Sequence, residues 1–200
     1  MSSPVIGVLG LQGDVEEHLA MLARLKVDAR RVKTAHELAD VDGLIIPGGE
    51  STTVGAMLNR FGLTKPLLER VGNSMPVWGT CMGMIVMAEH VVDSEQPTLG
   101  ILHIDVTRNA FGRQVESAEV PLTIAGLGGK PFPGVFIRAP WIERARDNAK
   151  IMASLDGKGV MVRQGNLLGT SFHPELTDDP RIHKLFLDLV ERARPALAAR

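Results

Sequence analysis

The chain has 200 residues, with 22 Lys and Arg against 23 Asp and Glu, for a formal net charge of −1. That length suits one domain, and 44% hydrophobic residues supply a sizeable core, which excludes a disordered chain. The balanced charge excludes a general nucleic-acid or polybasic membrane binder, and a single cysteine, Cys81, excludes an internal disulfide.

The N-terminus, MSSPVIGVLGLQGD, has no basic n-region and runs directly into a strand, so a secretory signal is not expected. Val5 to Leu11 is an almost continuous apolar run ended by Gln12-Gly13, the pattern of a strand buried on both faces. Asp14 then reads as a helix cap with Glu17 as its capping partner, followed by Val15, Leu19 and Leu22 at helical spacing. Asp28 to Val32 and Gly43 to Ile46 are predicted strands, the second stopped by Pro47-Gly48-Gly49. Helices are predicted over Thr52 to Arg60 and Thr64 to Val71, a strand over Pro76 to Gly79, and a helix over Met82 to His90.

After Leu99 the pattern changes. Leu99 to Arg108, Glu119 to Ile124, Val135 to Arg138, Ile151 to Leu155, Val160 to Gln164 and Leu167 to Phe172 read as strands joined by short turns. The last element is a helix capped by Asp179, with Pro180 in its first turn and an apolar stripe of Ile182, Leu185, Phe186, Leu189 and Val190. No stretch of about 18 apolar residues exists to span a membrane, so a soluble cytoplasmic protein is expected. The order of elements predicts a single α/β domain over residues 1–200. It would have three layers, a mostly parallel central sheet with helices on both faces, and added antiparallel strands in the C-terminal half.

Gly79-Thr80-Cys81-Met82-Gly83 lies where a short strand meets a helix, the setting of a nucleophile elbow. Such a turn pushes the nucleophile out of the sheet, and flanking glycines relieve its crowding. The helix start favours the thiolate, and the Met82 N–H points at a developing oxyanion. The plainer reading of Cys81 is a small buried hydrophobe. A thiol nucleophile needs a base, and His173 follows a predicted strand in Phe172-His173-Pro174-Glu175. In an extended segment Glu175 falls on the same side as His173 and can orient the ring; the alternative is an exposed turn.

Pro47-Gly48-Gly49-Glu50-Ser51 offers backbone N–H groups to an anion, or is a plain turn with Ser51 capping the next helix. His18, His36, His90, His103 and His183 read as surface or helix-face residues. Neither a phosphate loop nor a dinucleotide fingerprint is present. With one cysteine and no close histidine pair, no metal and no cofactor is expected.

Together these residues resemble the class I, or triad, glutamine amidotransferases, with their flavodoxin-like fold. Within them the chain is most similar to the glutaminase subunits of pyridoxal 5′-phosphate synthase. The resemblance is carried by GVLGLQGDVEEH (7–18), PGGESTT (47–53), GTCMGMI (79–85), RNAFGRQ (108–114), FIRAP (136–140) and SFHPEL (171–176). RNAFGRQ and FIRAP are the more specific, because other amidotransferases share the triad and lack them. One departure is Met82, where the family commonly has alanine.

The resemblance implies hydrolysis of L-glutamine to L-glutamate and ammonia by Cys81, His173 and Glu175. It implies an oxyanion hole from the N–H groups of Gly49 and Met82, and a glutamine site lined by Gly49, Glu50, Ser51, Arg108, Ile137 and Arg138. Without it, Arg108 and Arg138 read as members of surface salt bridges. It also implies a hetero-oligomeric partner, the (β/α)8 synthase subunit that receives the ammonia, and low activity until that partner docks and completes the oxyanion hole. The alternatives are a glutaminase serving another acceptor, a γ-glutamyl hydrolase with the same triad, and a non-catalytic regulatory subunit.

Overall fold

The computed structural model describes residues 3–92, 94–108 and 117–198. All of RNAFGRQ except Arg108 therefore lies outside the described residues. The first half alternates strand and helix: β1 (Val5–Leu9), α1 (Val15–Arg24), β2 (Asp28–Val32), α2 (Ala35–Ala39), β3 (Gly43–Ile46), α3 (Ser51–Arg60), α4 (Thr64–Gly72), β4 (Val77–Thr80) and α5 (Met82–Met87). Then come β5 (Ala88–Val91), β6 (Leu102–Thr107), β7 (Ser117–Leu122), β8 (Phe132–Ile137), β9 (Trp141–Ala145), β10 (Lys150–Leu155), β11 (Lys158–Gln164) and β12 (Leu167–Thr170). A single 3-10 turn (Pro174–Leu176) and α6 (Arg181–Ala198) follow.

The main sheet runs β2-β1-β3-β4-β12-β11-β9-β6-β5, with β10 paired to β11, while β7 and β8 form a separate antiparallel ribbon. From β2 to β12 all neighbours are parallel. β3, β4 and β12 are buried along their whole length, which is why they read as unbroken apolar runs. One face of the sheet carries a core with Leu38, Val54, Leu58, Leu67 and Met84 from α2 to α5. The other face is covered by Val15 and Leu22 of α1, by Ile182, Phe186 and Leu189 of α6, and by Phe132 and Phe136 of the ribbon. This is the expected three-layer arrangement. In open parallel sheets ligand sites gather outside the carboxyl ends of the strands, so the turns after β1, β3, β4 and β12 mark the active edge.

Several local expectations are corrected. The helix after Cys81 stops at Met87 rather than His90, and Ala88–Val91 is a strand. The returning chain explains this: Leu99 N–H donates to the Val86 carbonyl and Ile101 N–H to the Met87 carbonyl, at 2.7 and 3.1 Å. Asp14 stands at the cap position of α1 but makes no side-chain capping bond. Glu50, not Ser51, caps α3, accepting from the N–H groups of Thr52 and Thr53 at 3.1 and 2.7 Å. Finally α2 and β9 were not anticipated, although Thr34 and Glu37 form the capping box that announces α2.

Candidate active site

Cys81 occupies the turn between β4 and α5 with φ 48° and ψ −105°, a conformation an L-residue holds only when its surroundings enforce it. Its N–H donates to the Thr170 carbonyl at 2.7 Å, and its own carbonyl accepts from Met84 N–H at 3.1 Å. The flanking glycines are required by space. A Cβ on Gly83 would lie 1.9 Å from the Ile46 carbonyl oxygen, and one on Gly79 would lie 2.5 Å from the Gly83 oxygen. This is the crowding that the Gly-x-Cys-x-Gly spacing relieves. Met82 begins α5, where backbone N–H groups lack intrahelical acceptors.

His173 and Glu175 arrive from the end of β12. Their contact forms as expected, with His173 Nδ1 2.8 Å from Glu175 Oε1. The route differs from the predicted extended segment: Pro174–Leu176 is a 3-10 turn that folds the carboxylate back under the ring. Both side chains are buried, and His173 N–H donates to the Val135 carbonyl at 2.8 Å. Nδ1 also lies 3.3 Å from Asp14 Oδ2, so the uncapped helix residue faces the imidazole. Burial alone would lower the His173 pKa, but hydrogen bonds to Asp14, Cys81 and Glu175 outweigh it and raise it well above the usual imidazole value. Burial raises the Glu175 pKa, opposed by the hydrogen bond to His173. A charged His173 beside Cys81 suits an imidazolium–thiolate pair.

The glycine-rich turn after β3 packs against the turn after β1. Gly13, at φ 100°, leaves space for the Gly48 carbonyl, which a Cβ there would meet at 1.5 Å. Asp14 N–H donates to that carbonyl at 3.2 Å. These turns enclose a cleft of about 440 Å³. It is lined by Cys81, Met82 and His173, and by each expected substrate-site residue: Gly49, Glu50, Ser51, Arg108, Ile137 and Arg138. Gln12, Asp14 and Ile85, which had not been singled out, complete the wall. Glu175 sits behind His173.

Glu50 is held ionised, its pKa lowered to about 2, chiefly by the Thr53 hydroxyl, with burial opposing and the Thr53 and Thr52 N–H groups adding to the lowering. Neither arginine is ion-paired with a described residue, contrary to the surface salt-bridge reading. Arg108 instead donates to Gln96 Oε1 at 2.7 Å, and the same oxygen accepts from Ser51 Oγ at 3.2 Å. Gln96 was missed because it belongs to no motif and lies between two elements. Asp14, His173 and Glu175 place donor atoms within 4.8 Å of one another.

His18 and His183 are likewise corrected. Both are fully buried, with His18 Nδ1 3.1 Å from His183 Nε2 and His18 Nε2 3.3 Å from Thr80 Oγ1. Their signal was their position: His18 falls between Val15 and Leu22 on the buried stripe of α1, and His183 beside Ile182 on that of α6.

The model of the SNO glutamine amidotransferase family matches residues 8–192. The chain belongs to that family. Among curated members, the pyridoxal 5′-phosphate synthase subunit PdxT of Streptomyces avermitilis is 54% identical over 97% of this chain and 98% of its own. Its counterpart in Carboxydothermus hydrogenoformans is 50% identical over 92% and 97%. A crystal structure of a glutamine amidotransferase superposes with TM-score 0.89 and 46% identity, covering 93% of this chain and 98% of that one. The more distant PurLQS of Thermotoga maritima, at TM-score 0.64 and 17% identity over 96% of this chain and 97% of that one, shares the fold. The glutamine amidotransferase fold expected from the sequence is thus the fold observed. Among the described residues no helix is long and apolar enough to cross a membrane.

Proposed function

We propose that the chain hydrolyses L-glutamine to L-glutamate and ammonia at Cys81 and passes the ammonia to a synthase subunit that builds pyridoxal 5′-phosphate. The observation that carries the reading is a strained cysteine facing a buried His–Glu pair, in a cleft with an ionised glutamate and two arginines that have no ion-pair partner among the described residues. A free amino acid brings a carboxylate and an ammonium. Arg108 and Arg138 suit the first, by bidentate hydrogen bonding, and Glu50 the second.

The Cys81 thiolate attacks the carbonyl carbon of the side-chain amide, and negative charge develops on its oxygen. The N–H groups of Gly49 and Met82 are the donors for that charge. As the C–N bond breaks, the His173 imidazolium gives its proton to the departing nitrogen, and ammonia leaves a γ-glutamyl thioester. Water then attacks the thioester, His173 takes its proton, and glutamate departs as the thiolate is restored. Glu175 keeps the ring oriented and its charge balanced throughout.

The partner is supported by the family relatives, which are named as synthase subunits. Ammonia released into water at neutral pH becomes ammonium and loses its nucleophilicity, so direct transfer has a chemical advantage. The test is ammonia release from glutamine by the purified chain, alone and with the pyridoxal 5′-phosphate synthase barrel. Stimulation by the barrel and glutamine-dependent cofactor formation are expected; absence of both would overturn the assignment.

A further inference from the structure

Behind the His173–Glu175 pair lies a closed polar cluster that the proposed chemistry does not use. His18 from α1 and His183 from α6 are both fully buried, and Trp78 packs edge-on against each, with ring centroids 5.4 and 4.8 Å away. Two atoms in this cluster have no hydrogen-bond partner among the described residues: Glu175 Oε2 and His183 Nδ1. His18 Nε2 lies 3.5 Å from the first.

One arrangement of protons leaves no buried N–H of the pair without an acceptor. If His183 carries its hydrogen on Nε2, it donates to His18 Nδ1 across 3.1 Å, and its own Nδ1 is a bare acceptor. His18 then carries its hydrogen on Nε2, which is 3.3 Å from Thr80 Oγ1 and 3.5 Å from Glu175 Oε2. The opposite arrangement leaves a buried N–H on His183 with nothing to donate to. It also sets a nitrogen lone pair against the carboxylate oxygen. Unmatched groups of both kinds are costly in a dry interior. Burial also lowers both histidine pKa values, that of His183 to about 3, so each ring is neutral and has one proton to place.

We propose that His18 is a positioning residue. Held as the Nε2–H tautomer by His183, it donates to the outer oxygen of Glu175 and keeps that carboxylate ionised and aimed at His173. The proposal rests on the glutaminase reading for its consequence, but not for its geometry. The titratable groups facing Glu175 are His173 on its own segment, Asp14 and His18 at the start of α1, His183 through His18, and Cys81 through His173. β8, packed against the same turn, presents none.

Removing the His18 donor favours protonated Glu175, so the carboxylate is lost at higher pH than in the native chain. His173 then holds its proton less firmly and the thiolate is protected less as pH falls. The experiment is the pH dependence of Cys81 alkylation by iodoacetamide, which needs no glutamine, alongside ammonia release. His18→Gln returns an N–H near the Nε2 position; His18→Leu does not. The acid limb of alkylation should move up by about one to two pH units in His18→Leu and return toward the native position in His18→Gln.

Equal profiles in a folded His18→Leu protein, or equal damage from both variants, would overturn the proposal. Should His18→Leu fail to fold, 15N spectra of the native histidines decide. An Nε2–H, neutral His18 at pH 7 is expected, and an Nδ1–H or charged ring would overturn it. The expected shifts in alkylation, with no ammonia release from the native chain, would instead count against the glutaminase reading alone.

Discussion

At φ 48° and ψ −105°, Cys81 holds a backbone conformation that costs about 1–3 kcal/mol, and the rest of the elbow exists to enforce it. Cys81→Ala should lower glutamine turnover by more than about a thousandfold while leaving the melting temperature nearly unchanged; both are read on one purified preparation. Asp14 acts from the other side of the imidazole. Its carboxylate is 3.3 Å from His173 Nδ1 and raises the ring's pKa, so the cation persists as pH rises until that raised pKa is reached. Asp14→Asn lowers the His173 pKa and should bring the alkaline limb of kcat/KM down by about one pH unit. Helix α1 loses no capping bond in that variant. Gln96 holds Ser51 and Arg108 through one oxygen. Gln96→Ala should therefore raise KM for glutamine about tenfold with little change in kcat, the signature of lost ground-state binding.

Among elements, the junction of β3 with α5 tolerates least. The Gly83 position abuts the Ile46 carbonyl, so Gly83→Ala must push α5 off the sheet. A loss of about 3 kcal/mol or more in urea melts is expected, with loss of turnover. This junction was legible in the sequence, because buried parallel strands leave short apolar runs and the elbow imposes glycines at fixed spacing. β5 was not. Met82 to His90 carries helical residues, and it is the carbonyls of Val86 and Met87, taken by Leu99 and Ile101, that end the helix. That is a contact with the chain some dozen residues further on, invisible to local periodicity. The turn at His173 was half legible: residue types and their meeting were clear, the 3-10 path was not. His18 and His183 read as surface or helix-face residues, because a position on or beside an apolar stripe does not by itself show that a polar ring is fully buried.

Across the whole molecule, two cores on opposite faces of one sheet meet at the active edge, and α6 serves both stability and the buried histidine cluster. Phe186, fully buried, lies 5.7 Å from the Trp78 ring. Phe186→Ala should cost about 3–5 kcal/mol and shift Trp78 fluorescence in the same transition that unfolds the chain. The balanced surface charge accords with a protein whose proposed partners are one small amino acid and one other subunit. Glu50 carries an engineering consequence. The carboxylate proposed to meet the ammonium of glutamine also closes the N-terminus of α3, so selectivity and helix stability depend on one side chain. Any replacement there begins with about 1 kcal/mol of cap to recover. Attempts to admit other amides therefore have more freedom at Ile137, which also lines the cleft and where no helix end depends on the residue chosen.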